Sequence, residues 1–189
     1  MRQSVPVYVV PSALRDLVLL DMVALTGSTS GAGEHLHLSQ PTVSRRCRRL
    51  AAELGMSGRF GRAMAERTGD SICLRLLRKG LNRHRWDAGV LRLGGRRAEA
   101  EQLAGLEGME WVALDRVPAQ RWATLLRREL LDGVVLRAAD PLASGLRGCY
   151  HQVLQVGPDP IVVLIRRHPM IRRLLDSRLT VGAAQELAE

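Results

Sequence analysis

Gln40-Pro41-Thr42-Val43-Ser44-Arg45-Arg46 has the composition of an α-helix start that faces a polyanion. Proline is tolerated in the first turn of a helix, because its missing N–H would have no partner there. The free N–H groups and the helix dipole point outward at this end and favour phosphate. The arginines that follow can make forked contacts to phosphate and to guanine. This stretch therefore predicts a helix that reads DNA.

Two further helices are predicted before this one. Apolar residues recur at helical spacing from about Ala13 to Leu25, with Ser12 as a plausible N-cap and Gly27 as the end of the helix. Ser28 then caps a second helix, which ends before a short turn at residues 37–39.

Ser39 caps the third helix, which is predicted to run to about Leu54 and to end at Gly55. Its expected buried stripe is Val43, Cys47, Leu50 and Leu54. Its expected open face carries Thr42, Ser44, Arg45, Arg48 and Arg49. Three helices in this succession predict a helix-turn-helix whose third helix enters the major groove.

The segment also resembles a known family. Leu36-His37-Leu38-Ser39-Gln40-Pro41-Thr42-Val43-Ser44, then Arg49-Leu50 and Glu53-Leu54-Gly55, resemble the N-terminal winged helix-turn-helix of LysR-type transcriptional regulators, and Gly27-Ser28 also fits. The departures are Thr29 in place of an aromatic residue, Gly33 in place of the second of two alanines, and Ala51 in place of a common glutamate. Gly33 predicts a less rigid second helix.

The resemblance weakens beyond Gly55. It implies a wing, for which residues 59–62 are the approach and residues 67–70 a turn, and then a linker helix that pairs two protomers. Residues 71–86 fit either a wing strand or a helix, and their length and helix-forming residues favour a shortened linker helix. With so few turns, dimerisation through this helix would be weaker, or shared with the C-terminal part.

The rest of the chain alternates apolar runs with helical patterns, which predicts an α/β layer. Pro118 opens a helix carrying Trp122, Leu125, Leu126 and Leu130. The expected strands are residues 89–94, 110–114, 131–136, 153–156 and 161–165, and residues 183–188 form a helix-like tail.

The expected fold class is α/β overall, an all-α winged helix-turn-helix domain followed by a single α/β lobe. The expected domains are 1–69, a linker helix at 70–88, and a lobe at 89–189. The resemblance implies that the chain ends near the crossing into a second effector lobe. Family inducers bind between two lobes, so we expect weak or absent small-molecule sensing.

Basic residues are concentrated in the first half of the 189-residue chain. Residues 1–94 carry a formal charge of +8 and residues 95–189 one of +1. This distribution favours a polyanionic partner for the N-terminal half. Lys79 is the only lysine. Either a need for forked contacts or a GC-rich genome explains that preference for arginine.

No catalytic, cofactor or metal site is predicted. The cysteines are odd in number and form no CxxC pair, so buried or incidental thiols are favoured over a redox sensor. His35 and His37 are more simply explained by a solvated turn than by a metal site, and no nucleophile, phosphate-loop or HExxH motif occurs. Asp132 is the best-placed acid, and the resemblance makes it structural.

Two further features limit the class of protein. Trp86, Trp111 and Trp122 are expected in the core, and an aromatic content of 3% is low for a single-strand binder. The apolar run Val5–Val10 is interrupted too soon by Pro11 and Arg15-Asp16 to be a signal peptide or membrane span. We therefore expect a soluble, cytoplasmic protein that does not bind membranes.

Each residue of the predicted reader has an expected partner. Gln40 pairs with adenine and Arg45 with guanine, while Pro41 and Thr42 meet a thymine methyl. Phosphates are contacted by Ser39, Ser44 and Arg48, with Arg49 on the same face. Arg62 and Arg67 reach the neighbouring backbone or minor groove if a wing forms.

These observations predict a sequence-specific, double-stranded-DNA-binding transcriptional regulator that acts as a homodimer and meets the transcription machinery. The alternative is an interaction or dimerisation module that pairs with longer paralogous regulators, with DNA binding secondary. The target operator and the choice between activation and repression are not encoded in any pattern that we find.

Overall fold

The computed structural model describes residues 8–56, 72–103, 107–140, 149–154 and 161–186. Three helices come first: α1 (Arg15–Thr26), α2 (Thr29–Leu36) and α3 (Gln40–Glu53). The remaining elements in chain order are α4 (Ile72–Asp87), β1 (Leu91–Gly95), α5 (Arg97–Gln102), β2 (Met109–Ala113), α6 (Trp122–Arg127), β3 (Gly133–Arg137), β4 (Cys149–Leu154), β5 (Ile161–Arg166) and α7 (Pro169–Glu186). The predicted α/β class is confirmed.

The first three helices form the predicted helix-turn-helix. Gly27 ends α1 in a left-handed conformation with φ 75°, as its position predicts. The Ser28 hydroxyl accepts a hydrogen bond from the Gly31 N–H at 2.9 Å, so the predicted cap of α2 is confirmed. The Ser12 cap is wrong, because Ser12 begins a short 3-10 turn and Leu14 is the N-cap of α1.

The five strands form one sheet in the order β2-β1-β3-β5-β4. β1 runs parallel to β2 and β3, whereas β5 is antiparallel to β3 and β4. β4 occupies residues 149–154, so it begins four residues before the predicted strand 153–156, whose last two residues lie outside the described residues. Helix α5, which begins at residue 97, was not expected from the sequence. Helix α7 begins at residue 169, well before the predicted helix-like tail at 183–188, of which residues 183–186 lie within it.

One apolar core joins the three helices to one face of the sheet. Residues 17–26 of α1 are all buried, because α2 and α3 cover one side of that helix and β2 and α4 contact it elsewhere. The core includes Leu20 and Leu25 of α1 together with Val112 of β2 and the predicted core residue Trp122. A second core on the other face of the sheet holds Trp86 and Ile171, with the half-buried Trp111 against it.

The ambiguous segment after the predicted wing is a helix. α4 spans Ile72–Asp87, so of the two interpretations, strand or helix, the helix is confirmed over those residues. The predicted wing approach at 59–62, the turn at 67–70, and the side chains Arg62 and Arg67 lie outside the described residues.

Candidate nucleic-acid interface

Helix α3 packs against the other two helices through an apolar stripe, and its opposite face is exposed to solvent. Val43, Cys47 and Ala51 are buried against α1 and α2, with Leu50 and Leu54 half-buried beside them. Burial raises the pKa of the Cys47 thiol to about 12, so this cysteine is an apolar core side chain and not a thiolate. The predicted stripe is therefore confirmed.

The open face carries most of the predicted reading residues. Thr42 is half-buried there. The exposed members are Ser39, Gln40, Pro41, Arg45, Arg48 and Arg49. Ser44 is the exception, since only 8% of its surface is exposed. Its predicted position off the buried stripe is wrong, because it lies one residue from Val43 at the edge of that stripe.

The start of α3 is ordered by side-chain hydrogen bonds. The Ser39 hydroxyl pairs with the Thr42 hydroxyl at 2.9 Å and makes no backbone capping bond, so Ser39 is the N-cap by position only. The Gln40 amide donates to the Thr29 hydroxyl of α2 at 3.0 Å. A threonine at position 29, where the LysR resemblance leads one to expect an aromatic residue, thus orients the first residue of α3.

The turn between α2 and α3 depends on a glycine. The Leu38 N–H donates to the Gly33 carbonyl at 2.9 Å. A Cβ atom at Gly33 would lie 2.5 Å from the Leu38 carbonyl oxygen, closer than two such atoms can approach. Gly33 is therefore a requirement of the close turn, a role that its effect on helix propensity does not convey.

The arginines of α3 fall into two groups. Arg45 donates to Thr42 at 3.4 Å and Arg48 to the Ser44 hydroxyl at 2.6 Å, and within the described part of the chain neither has an ion-pair partner. Both guanidinium groups keep most of their N–H donors available on the open face.

Arg46 and Arg49 are instead held by Asp16 in the first turn of α1. The Arg46 Nε donates to one carboxylate oxygen at 2.6 Å, and an Arg49 Nη2 donates to the other at 2.7 Å. Burial alone would raise the pKa of the Asp16 carboxyl, but these two hydrogen bonds and charges outweigh it and lower that pKa. No sequence pattern marks this pairing, because Asp16 is 30 residues from Arg46.

The first part of the chain matches a known protein family. Residues 14–76 match the model of the bacterial regulatory helix-turn-helix proteins of the lysR family. The N-terminal part of this chain is a LysR-family helix-turn-helix.

Solved structures that are similar to the chain include those of three bacterial proteins. ArgP from Mycobacterium tuberculosis is 21% identical over 74% of this chain and 51% of its own, with a TM-score of 0.32. DarR from Vibrio fischeri, solved in complex with DNA, is 16% identical over 74% and 54%, with a TM-score of 0.30. A C206 mutant of OxyR from Corynebacterium glutamicum is 17% identical over 78% and 51%, with a TM-score of 0.36.

This chain spans about half the length of those structures. No curated protein sequence matches it significantly.

The LysR-family helix-turn-helix is tied to the lobe by polar side chains on the buried face of α4. Arg78 donates to both oxygens of Asp21 in α1, at 2.6 and 3.0 Å, and to the carbonyl of Arg128 in the lobe at 3.3 Å. One turn further on, the Asn82 amide donates to the Glu129 carbonyl at 2.8 Å. A single helix face thus holds the helix-turn-helix and the lobe together.

Asp132 ends this polar connection within the lobe. Its carboxylate is fully buried and accepts hydrogen bonds from Arg85, from the Trp86 indole at 3.0 Å and from the Arg92 backbone at 2.8 Å. The prediction of a structural acid at the edge of a strand is confirmed. The partners Arg78 and Arg85 were missed, although they continue the 4-3-4 spacing of the buried positions Leu74 and Leu81.

His35, a possible metal ligand by residue type, lies next to the sheet. His35 lies 3.8 Å from Glu110 of β2, so it faces the lobe and is not a solvated turn residue. Among the residues that the structure describes, no cluster of three or more His, Cys, Asp or Glu side chains is arranged to hold a metal ion. No described helix is long and apolar enough to cross a membrane.

Proposed function

We propose that this protein is a sequence-specific regulator of transcription that binds double-stranded DNA through α3. The observation that carries the proposal is the open face of α3, where Gln40, Arg45 and Arg48 are exposed on a LysR-family helix-turn-helix. On its opposite face, α3 packs into the core through its own Val43 and Cys47. A helix seated in this way can enter the major groove with its N-terminal residues against the base edges.

Base reading is assigned to the exposed residues that the start of α3 orients. Gln40 pairs with adenine and is supported by its bond to Thr29, and Arg45 pairs with guanine O6 and N7. Pro41 and Thr42 lie between them and meet a thymine methyl.

Phosphate contacts are assigned to Ser39, Arg48 and Arg49, with Ser44 acting through its bond to Arg48. Arg62 and Arg67 are assigned to the adjoining backbone or minor groove, as their positions after α3 predict.

We assign dimerisation to α4. The solvent side of its first two turns carries an apolar strip, with Ile72 66%, Leu76 62% and Leu77 37% exposed and Cys73 among them, beside the exposed Arg75 and Lys79. Gly80, one turn on from Leu76, has open space where a Cβ atom would stand, which permits close approach of a second helix. A second copy of this chain, on the same strip, would bury these side chains. We propose the division into 1–69, 70–88 and 89–189, with α4 as the linker.

The same apolar strip favours one other candidate function. A partner regulator with a similar linker helix would compete for it, so that the chain acts as an interaction module on longer paralogues and DNA binding is secondary. In that case the chain alone would show no base preference, and its α4 strip would be essential.

Selection of bound sequences from a random duplex pool tests the proposal. The expected result is one enriched motif, repeated as two half-sites one or more helical turns apart. Recovery of duplexes without a shared motif would overturn the proposed function and favour the interaction module. Enrichment of a single half-site would leave DNA reading in place and contradict the homodimer.

A further inference from the structure

The arginines of α3 are divided by a single carboxylate. Asp16 of α1 holds Arg46 and Arg49, whereas Arg45 and Arg48 donate to hydroxyl groups of α3 itself and have no ion-pair partner among the described residues. Asp16 is mostly buried, with a side-chain exposure of 18%, but Arg49 is 64% exposed. Arg49 therefore has its Nη2 fixed to α1, and its Nε lies 3.7 Å from the exposed Glu53 carboxylate, which leaves the remaining N–H groups open to solvent at the flank of α3.

The Asp16–Arg49 contact places a limit on where Arg49 can reach. Arg49 follows Arg45 by four residues and so lies one turn along the same side of α3. An arginine side chain released from that position could extend toward either the bases or the phosphates, since it has several rotatable bonds and carries a permanent charge. The Nη2 bond to Asp16 at 2.7 Å holds it at the flank instead.

We propose that Asp16 is a specificity-determining positioning residue, which acts through Arg49 and rests on the proposed function. It holds Arg49 at the flank of α3, where the free N–H groups contact one phosphate and the base edges are left to Gln40 and Arg45. It also cancels one positive charge of the interface. Both effects weaken binding to non-specific duplexes more than they weaken binding to the selected duplex.

Replacement of Asp16 by asparagine has a defined consequence. The neutral amide no longer offsets the charge of Arg49 or holds its guanidinium, so the full charge of Arg49 becomes available to neutralise phosphate. One additional neutralised phosphate steepens the slope of log K against log salt by about 0.9, and at 0.1 M salt this corresponds to roughly eightfold tighter non-specific binding. The selected duplex gains less, so the ratio of specific to non-specific affinity falls.

A double-mutant cycle on the full chain tests whether Asp16 acts through Arg49. The proteins are wild type, Asp16→Asn, Arg49→Gln and the double variant. The duplexes are the sequence that wild type selects from a random pool and a scrambled version of it, each titrated at several salt concentrations. Asp176→Asn is the charge-matched control, because Asp176 pairs with Arg172 on α7, outside the three-helix part of the chain.

The expected result is a lower specificity ratio and a steeper salt slope in Asp16→Asn, both absent when Arg49→Gln is the background. An unchanged ratio in a folded Asp16→Asn protein, or the same change with and without Arg49, overturns the inference. Equal changes in Asp176→Asn also overturn it, since they would reflect net charge alone.

Two further outcomes separate the inference from the proposed function. If Asp16→Asn does not fold, Arg49→Gln decides, because Arg49 is exposed and its loss leaves the Asp16–Arg46 bond. Arg49→Gln must weaken binding to both duplexes equally and must flatten the slope of log K against log salt by about 0.9. A changed base preference instead overturns the inference alone. A wild type that does not distinguish the two duplexes overturns the proposed function.

Discussion

Arg85 of α4 and Asp132 at the start of β3 form an ion pair that solvent does not reach, with both side chains 0% exposed. Burial alone would raise the pKa of the Asp132 carboxyl, but the charge and hydrogen bonds of Arg85 outweigh it and lower that pKa. The linker helix is thus fixed to the lobe by a charge pair that each partner needs, because a buried charge without its counter-ion is costly.

Asp132→Asn leaves the Arg85 guanidinium buried without a counter-charge. We expect the free energy of unfolding to fall by about 3–5 kcal/mol, as measured by urea denaturation at neutral pH. Asp87→Asn is the control on α4, because Asp87 pairs with Arg83 in solvent at exposures of 52% and 63%, and little change is expected. Equal stability of wild type and Asp132→Asn would contradict the structural role of this acid.

Acid stability reports on Glu110. Burial alone would raise the pKa of its carboxyl, but the Arg92 guanidinium at 2.9 Å and the nearby His35 outweigh it and lower the pKa to about 2. A lowered pKa in the folded state stabilises the protein above the unfolded value near 4.5, and this contribution is lost as the pH falls toward 2.

Glu110→Gln lacks this titration, so its stability should vary less than that of wild type between pH 5 and 2. Parallel curves of unfolding free energy for the two proteins over this range would contradict the assignment.

Replacing glycine by alanine should change the stability of the protein in opposite directions in α2 and α4. Gly33→Ala places a Cβ atom 2.5 Å from the Leu38 carbonyl and should destabilise by about 1–3 kcal/mol. Gly80→Ala meets open space in the middle of α4 and should stabilise by roughly 0.5–1 kcal/mol, since alanine loses less backbone entropy in a helix. Thermal and urea unfolding of both variants provides the measurement, and a neutral Gly33→Ala would contradict the close turn.

Leu76→Glu tests the apolar strip of α4. A charged side chain at a residue that is 62% exposed should leave the monomer folded. If the strip pairs two copies, the loss of one buried leucine worth about 1.5–3 kcal/mol should raise the dimer dissociation constant at least tenfold. Sedimentation equilibrium measures this change. The same oligomeric state in both proteins would place the dimer contact elsewhere.

The local elements of this protein could be predicted wherever a single residue type marks them. Gly27 ends α1 and Gly55 follows α3 because both adopt positive φ, at 75° and 65°, which glycine tolerates and most residues do not. Ser28 caps α2, and the stripe Val43 and Cys47 seats α3, for equally local reasons. The open face of α3 followed directly.

Contacts between distant residues could not be predicted. Asp16 meets Arg49 over 33 residues and Asp21 meets Arg78 over 57, and neither sequence neighbourhood marks its acid as paired. Ser44 was misplaced because its small side chain fits at the edge of the buried stripe, where its hydroxyl accepts from Arg48. The true bounds of β4 depend on its register with β5, which is a tertiary property.

We propose that α3 reads bases. Arg45→Ala tests this proposal, because Arg45 is exposed and its removal leaves the core intact. Binding of wild type and variant is measured on the duplex that wild type selects from a random pool, and on all single-base changes of that duplex. We predict a loss of about 1–3 kcal/mol on the selected duplex and loss of preference at one base pair only. Unchanged affinity with unchanged preference at every position would contradict it.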